Sequence, residues 1–96
     1  MPTSSAAVCR DGDALVFTGA LLRDDVAALW RGATATLAGV RRFDLQAVAR
    51  IDSAGLALLA ELAARAGDDV VVDGTPAGLA ELRAAYRLDP ALGFAA

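Results

Sequence analysis

The sequence predicts an α/β fold, in which a mixed four-stranded sheet carries its helices mainly on one face. The chain of 96 residues is 56% hydrophobic and 22% charged, which is typical of one folded domain with its own core. Strand-like and helix-like segments alternate in the order β, β, α, β, α, β, α. No repeat or low-complexity linker divides the chain. We therefore expect a single domain over 1–96, with a frayed start at 1–7 and a tail at 91–96.

The first half of the chain predicts a β-hairpin followed by a helix. An apolar run at 14–19 follows the turn signal Asp11-Gly12, and Val8-Cys9 is a possible hairpin partner for it. From residue 24 the apolar residues follow the spacing of one helical face, and they are Val26, Leu29, Trp30, Ala33 and Leu37. We expect Asp24 or Asp25 to cap this helix and Gly39 to end it.

The second half predicts two further strand–helix pairs. Apolar residues at 40–45 indicate a central strand, and a link at 46–50 leads to Ile51 and a helix that ends at Gly67. Three consecutive valines at 70–72 indicate a strand buried on both faces. A last helix is expected to begin with Thr75 as N-cap and Pro76 in its first turn. Its predicted inner stripe is Leu79, Leu82 and Tyr86, and Asp89-Pro90 would end the ordered structure.

The composition excludes several classes of chemistry. The chain has no His and no Lys, so it lacks the base of a Ser-His-Asp triad, a Schiff-base amine and a His-ligated zinc site. Its nine arginines are mostly scattered and the net charge is −3, so no basic patch for nucleic acid is expected. We therefore expect no catalytic residues, no metal and no cofactor.

The single cysteine and the start of the chain predict a cytoplasmic protein. Cys9 has no partner for an internal disulfide, which fits a reducing compartment, and we interpret it as a small apolar strand residue rather than a reactive thiol. The first residues lack the basic start and apolar run of a signal peptide. No apolar run approaches the roughly 20 residues that span a bilayer.

The stretch RIDSAGLALLAELAARAG, residues 50–67, contains the candidate site. At 100° per residue, one face consists of Leu56, Leu59, Leu62, Ala63 and Ala66, with Leu58 at its border, and is expected to contact the sheet. The opposite arc consists of Ser53, Ala54, Ala57, Ala60, Glu61, Ala64 and Arg65. Glu61 and Arg65 are spaced to form an ion pair. The alanines of this arc reflect either an alanine-rich composition or a flat surface that another helix approaches closely.

Ser53 allows three interpretations from the sequence alone. With Asp52 it can cap the helix N-terminus. It is also well placed to accept a phosphoryl group, because free N–H groups and the helix dipole both favour negative charge there. As a nucleophile it is weak, since Asp52 is the only potential base beside it. Gly55, which has no side chain, would leave the approach to Ser53 open.

The segment FDLQAVARIDSAGLALL, residues 43–59, resembles the central signature of STAS domains. In this family a D-L-x-x-V strand and link lead into D-[ST]-x-G-L at a helix start. The family includes bacterial anti-sigma factor antagonists and the cytoplasmic domains of sulfate transporters. The resemblance implies a STAS-like single domain whose function is regulatory binding rather than catalysis.

Two further segments resemble the MlaB-like branch of this family, namely GDALVFTGALLRDDVAALW at 12–30 and LRAAYRLDP at 82–90. MlaB-like proteins are small STAS subunits of phospholipid ABC transporters that maintain lipid asymmetry of the outer membrane. They bind the MlaF-like ATPase subunit and, through it, the permease complex, without hydrolysing ATP. The resemblance implies a cytoplasmic location, peripheral to the inner membrane, with no direct membrane insertion.

By position in the motif, Ser53 matches the residue that is phosphorylated in anti-sigma factor antagonists and that lies in the ATPase contact of MlaB-like proteins. Asp52 and Gly55 match the flanking motif positions. The resemblance implies that the helix beginning at Ser53 presents the contact surface. MlaB-like proteins often have threonine where this chain has serine, whereas the antagonists use serine. An anti-sigma factor antagonist, switched by phosphorylation of Ser53, therefore remains the alternative.

Overall fold

The computed structural model describes residues 6–67 and 70–86, and it confirms the predicted order of strands and helices. The elements are β1 (Ala7–Asp11), β2 (Ala14–Leu21), a 3₁₀ turn (Arg23–Asp25), α1 (Val26–Thr34), β3 (Arg42–Ile51), α2 (Ser53–Ala66), β4 (Val71–Asp73) and α3 (Leu79–Ala85). β1 thus begins within the segment 1–7 that was expected to be frayed. The predicted tail at 91–96 and the Asp89-Pro90 stop lie outside the described residues.

The four strands form one mixed sheet in the order β1-β2-β3-β4. β1 and β2 form an antiparallel hairpin, and β2, β3 and β4 run parallel to one another. The hairpin turns at Gly12, whose positive φ of 60° fits the predicted Asp-Gly turn. Because parallel neighbours need a crossover, α1 connects β2 to β3 and α2 connects β3 to β4. The predicted α/β class is confirmed.

The core lies between the sheet and the helices. Alternate residues of β2, namely Leu15, Phe17 and Leu21, are fully buried, whereas Val16 and Thr18 between them are half-buried. Phe17 meets Phe43 of β3 edge to face, with ring centroids 5.7 Å apart. The helices contribute their apolar residues to the same cluster, and these are Leu29, Ala33, Leu56, Leu58, Leu59, Leu62, Ala63 and Leu79. The predicted inner face of the Ser53 helix is therefore confirmed, with Ala66 packed at its margin.

β3 is longer than the sequence predicted. The segment 46–50, expected to be a link, belongs to the strand, whose buried residues are Phe43, Leu45, Val48 and Ile51. The register of β3 against β2 shifts twice. β3 has one extra residue before the pairs Thr18–Ala47 and Gly19–Val48, and another extra residue after them. Such bulges lengthen the spacing of inward residues from two to three. The apolar alternation that marks a strand is thereby interrupted, and the prediction of a link was wrong.

The first and third helices are shorter than predicted. α1 ends at Thr34 rather than at Gly39, and no side-chain cap from Asp25 is present at its start. Gly39 has a positive φ of 80°, as predicted, but it lies in the loop before β3. α3 begins at Leu79 with Gly78 at its N-cap, so Thr75 does not cap it.

Burial at the far edge of the sheet also differs from the prediction. Val70 is buried, but Val71 is 51% exposed, since β4 is an edge strand of three residues with one face open. Tyr86, assigned to the inner stripe of the last helix, is 49% exposed just after α3 ends. Cys9 lies in β1, as expected, but is exposed and unpaired among the described residues. No helix in the two described ranges is long and apolar enough to cross a membrane.

Candidate functional site

Asp52 caps the N-terminus of α2 with one carboxylate oxygen and binds the 3₁₀ turn with the other. Its backbone is extended, and its Oδ1 accepts a hydrogen bond of 2.8 Å from the N–H of Gly55. Its Oδ2 accepts a second bond, of 3.0 Å, from the N–H of Arg23 in the 3₁₀ turn. Of the two cap candidates in the sequence, Asp52 is therefore the cap. The bond to Arg23 joins segments 29 residues apart and was not foreseen.

The environment of Asp52 favours its charged form. The hydrogen bond from Gly55 lowers the pKa of Asp52 below its ordinary value of 3.8 and outweighs the opposing effect of desolvation. Backbone N–H groups of Arg23 and Ala54 and the charge of the Arg23 guanidinium lower this pKa further. The carboxylate is therefore ionised at neutral pH and is a weak base.

Gly55 is a packing residue. It is buried against the end of β2, and a Cβ atom there would overlap the carbonyl oxygen of Leu21 and lie 2.9 Å from Cγ1 of Ile51. The absent side chain allows the first turn of α2 to approach the backbone of β2. The structure thus gives Gly55 a role in helix–strand packing that the sequence did not predict.

Ser53 is exposed at the first position of α2. Among the described residues, none forms a hydrogen bond with its hydroxyl group. Asp52 already supplies the cap, so the hydroxyl of Ser53 is not needed to complete the helix end. The side chain is thus accessible at the positive end of the helix dipole, next to an ionised carboxylate.

The exposed residues of α2 form a narrow surface of mostly small side chains, which we call the α2 outer face. Its members are Ser53, Ala57, Glu61, Ala64 and Arg65, all of them exposed. Of the other predicted site residues, Ala54 and Ala60 are half-buried and Ala60 packs against the core. The predicted arc therefore lies on one side of α2, with Ala54 and Ala60 turned partly inward, and the predicted site residue Gly55 is buried beneath it.

Arg65, at the C-terminal end of the α2 outer face, makes two contacts. Its Nε lies 3.9 Å from Oε2 of Glu61, which is the expected i, i+4 pair. Its guanidinium carbon also lies 4.9 Å from the centre of the Trp30 ring on α1, within the range of a cation–π contact. No local sequence pattern predicts this contact, because it joins two helices whose relative placement depends on the sheet.

The described residues contain no group of three or more His, Cys, Asp or Glu side chains that could hold a metal ion. The polar groups around Ser53 are backbone N–H donors and the Asp52 carboxylate. Such a site can cap a helix, contact a partner surface or accept a phosphoryl group.

Comparison with known proteins links this geometry to one family. A family model described as "Mlab, STAS domain" matches residues 7–93. The intermembrane phospholipid transport system binding protein MlaB of Escherichia coli (strain K12) is 33% identical over 82 residues, which cover 82% of this chain and 84% of that protein. The protein of the same name from Shigella flexneri matches with the same values.

A solved structure described as "Crystal Structure Analysis of Mglu" contains a similar region. It matches with a TM-score of 0.51 and 28% sequence identity over 76% of this chain. This chain spans 20% of that structure's chain, so the likeness concerns one part of a larger protein.

Proposed function

The chain belongs to the STAS domain family, in its MlaB type, and on this premise we propose that it is a non-enzymatic STAS subunit of an Mla-type phospholipid ABC transporter. In this role it binds the MlaF-like ATPase subunit through the α2 outer face and supports assembly and activity of that subunit. It reaches the permease complex through the ATPase. The activity it serves is the maintenance of outer-membrane lipid asymmetry, from the cytoplasmic side of the inner membrane.

The α2 outer face is the observation that carries this proposal. The helix buries its leucines in the core and leaves Ser53, Ala57 and Ala64 exposed. Small side chains present little bulk, so a partner helix can approach the backbone closely and gain packing contacts over a short distance. The names of the Escherichia coli and Shigella flexneri relatives, both proteins of an intermembrane phospholipid transport system, support a role in such a system.

The surroundings of Ser53 support a binding role over catalysis. A serine nucleophile needs a base to remove its proton, and the chain contains no His or Lys. Asp52, the adjacent carboxylate, accepts N–H bonds with both oxygens and has a lowered pKa. A carboxylate held in this way is a poor general base at neutral pH.

Ala57→Arg and Ser53→Glu test the contact directly. We expect either substitution to reduce co-purification with the MlaF-like ATPase, because each places a long or charged side chain on a face of small residues. Ala80→Arg is the matched control, since Ala80 is exposed on α3 rather than on α2. Unchanged ATPase binding by both α2 variants, with circular dichroism showing folded protein, would refute this interface.

The partner itself is identified by a tagged purification from native membranes in mild detergent, followed by mass spectrometry. Recovery of an ABC ATPase with its permease is the expected outcome. Recovery of a soluble serine-kinase anti-sigma factor, without transporter subunits, would replace the transporter proposal with the alternative.

The alternative function, an anti-sigma factor antagonist, is favoured by one observation. The Ser53 side chain is exposed at a helix N-terminus, where a kinase can reach it and a phosphoryl group would be stabilised. Incubation with a cognate serine kinase and ATP, followed by intact-mass measurement, tests this function. A gain of one phosphoryl group by the wild-type chain and none by Ser53→Ala would support it.

A further inference from the structure

We propose that Asp52 is a positioning residue that locks the 3₁₀ turn onto the head of α2, so that the turn and the α2 outer face form one rigid partner-binding surface. This inference rests on the proposed function and extends its site to the turn formed by Arg23–Asp25. The turn precedes α1 and is distant from Ser53 in sequence.

Three contacts tie the end of β2 and the following turn to the start of α2. The N–H of Asp52 donates to the carbonyl of Leu21 over 3.2 Å, and the Asp52 carboxylate accepts from the N–H of Arg23 over 3.0 Å. Gly55, the third contact, packs against the Leu21 carbonyl with no room for a side chain. The carboxylate also caps α2 through Gly55, so the same side chain fixes both segments.

The turn presents exposed charge beside the proposed interface. Arg23 and Asp24 are exposed, the turn contacts α2, and Arg23 bonds Asp52, the residue that precedes Ser53. The turn itself has no side-chain cap. The hydrogen bond from the N–H of Arg23 to the Asp52 carboxylate joins the turn to the start of α2. A partner that covers Ser53 therefore meets the turn as well. Holding the turn in place before binding removes the entropy cost of ordering it during binding.

The substitution Arg23→Pro removes the hydrogen bond between the N–H of Arg23 and the Asp52 carboxylate. Arg23 is the first residue of the turn, where the fixed φ of proline is accommodated, and Leu22 before it is already extended with φ −118° and ψ 163°. Arg23→Pro thus removes the N–H donor without altering α2. Arg23→Ala is the matched control, because it removes the same side chain but keeps the N–H.

The test compares these two variants in three measurements. These are binding to the purified MlaF-like ATPase, exchange of the Asp25 and Val26 amides, which donate to the carbonyls of Leu22 and Arg23, and the NMR titration of Asp52. We expect Arg23→Pro to bind about tenfold more weakly than Arg23→Ala, since a loosened turn must be ordered on binding. We also expect faster exchange in the turn and a higher pKa for Asp52 in Arg23→Pro, while the Gly55 amide stays protected.

Equal binding by the two variants, despite a loosened turn, would overturn the positioning role. Unchanged exchange and titration in Arg23→Pro would also overturn it, because the bond would then not hold the turn. If the wild-type chain does not bind the ATPase, the proposed function fails, and the exchange and titration results still decide whether Asp52 fixes the turn.

Discussion

The carboxylate of Asp52 has two structural roles. It caps α2 through Gly55 and holds the 3₁₀ turn through Arg23. Sequence reasoning limits the cap to Asp52 or Ser53, because a side-chain acceptor before the first turn of a helix is a local pattern. It cannot identify the Arg23 bond, because that bond depends on where β2 ends relative to β3.

Asp52→Asn is expected to make stability less sensitive to acid. Asp52 has a lowered pKa in the folded protein, so its charge stabilises the fold above the unfolded pKa, and this contribution is lost as pH falls through the folded pKa, below 3.8. Urea unfolding at pH 7 should show the wild type as more stable than Asp52→Asn, and the difference should shrink as the pH falls below 3.8. A difference that stays constant with pH would contradict a role for the charge.

Gly55→Ala is expected to destabilise the fold by roughly 1–3 kcal/mol, the usual range for overpacking, because the new Cβ would overlap the Leu21 carbonyl. Gly32→Ala is the control. Gly32 lies in α1, and a Cβ there meets the movable Val8 side chain at 3.2 Å. We expect that control to be neutral or stabilising by up to about 1 kcal/mol, the helix-propensity difference. Equal unfolding midpoints for the two variants in urea would show that α2 does not need this close approach.

Among the helices and strands, the bounds of α2 could be predicted from the sequence, whereas those of β3 could not. The bounds of α2 follow from local signals, namely the Asp52 cap, a continuous apolar stripe and Gly67, whose φ is 117°. β3 contains two bulges, so its buried residues are not spaced by two and its second half does not show strand periodicity. The candidate site was also predictable only in part. Its exposed arc follows from helical geometry, whereas its contacts with the turn and with α1 depend on tertiary packing.

The contact between Arg65 and Trp30 links α1 to α2 at the end opposite to Asp52. A double-mutant cycle with Arg65→Ala and Trp30→Leu should give a coupling free energy of about 0.5–1 kcal/mol, the range of an exposed cation–π pair. The matched cycle of Arg65→Ala with Glu61→Ala should give less, about 0.3–0.5 kcal/mol. Urea unfolding measures both cycles, and zero coupling with Trp30 would mean that the two helices are not joined by this contact.

For the molecule as a whole, the two faces of the sheet have different surroundings. The buried face packs on α1, α2 and α3, whereas the other face carries Cys9, Val16, Asp44 and Asp73 side by side across the four strands. Arg42 and Asp73 form an ion pair of 3.1 Å near one edge, with both side chains partly exposed. Within the described ranges no helix covers this face. The α2 outer face therefore lies on the opposite side of the domain, away from the open sheet.

The parallel pairing of β2 with β3 has a consequence for how the chain folds. The β1–β2 hairpin joins neighbours in sequence, but the central pair brings Leu15 beside Phe43 only after the whole α1 crossover is in place. Closing such a long loop costs entropy before the core contacts compensate for it. We therefore expect the core, α2 and the hydrogen bonds of Asp52 to form together late in folding, so that the proposed partner-binding surface exists only in chains that have completed the domain.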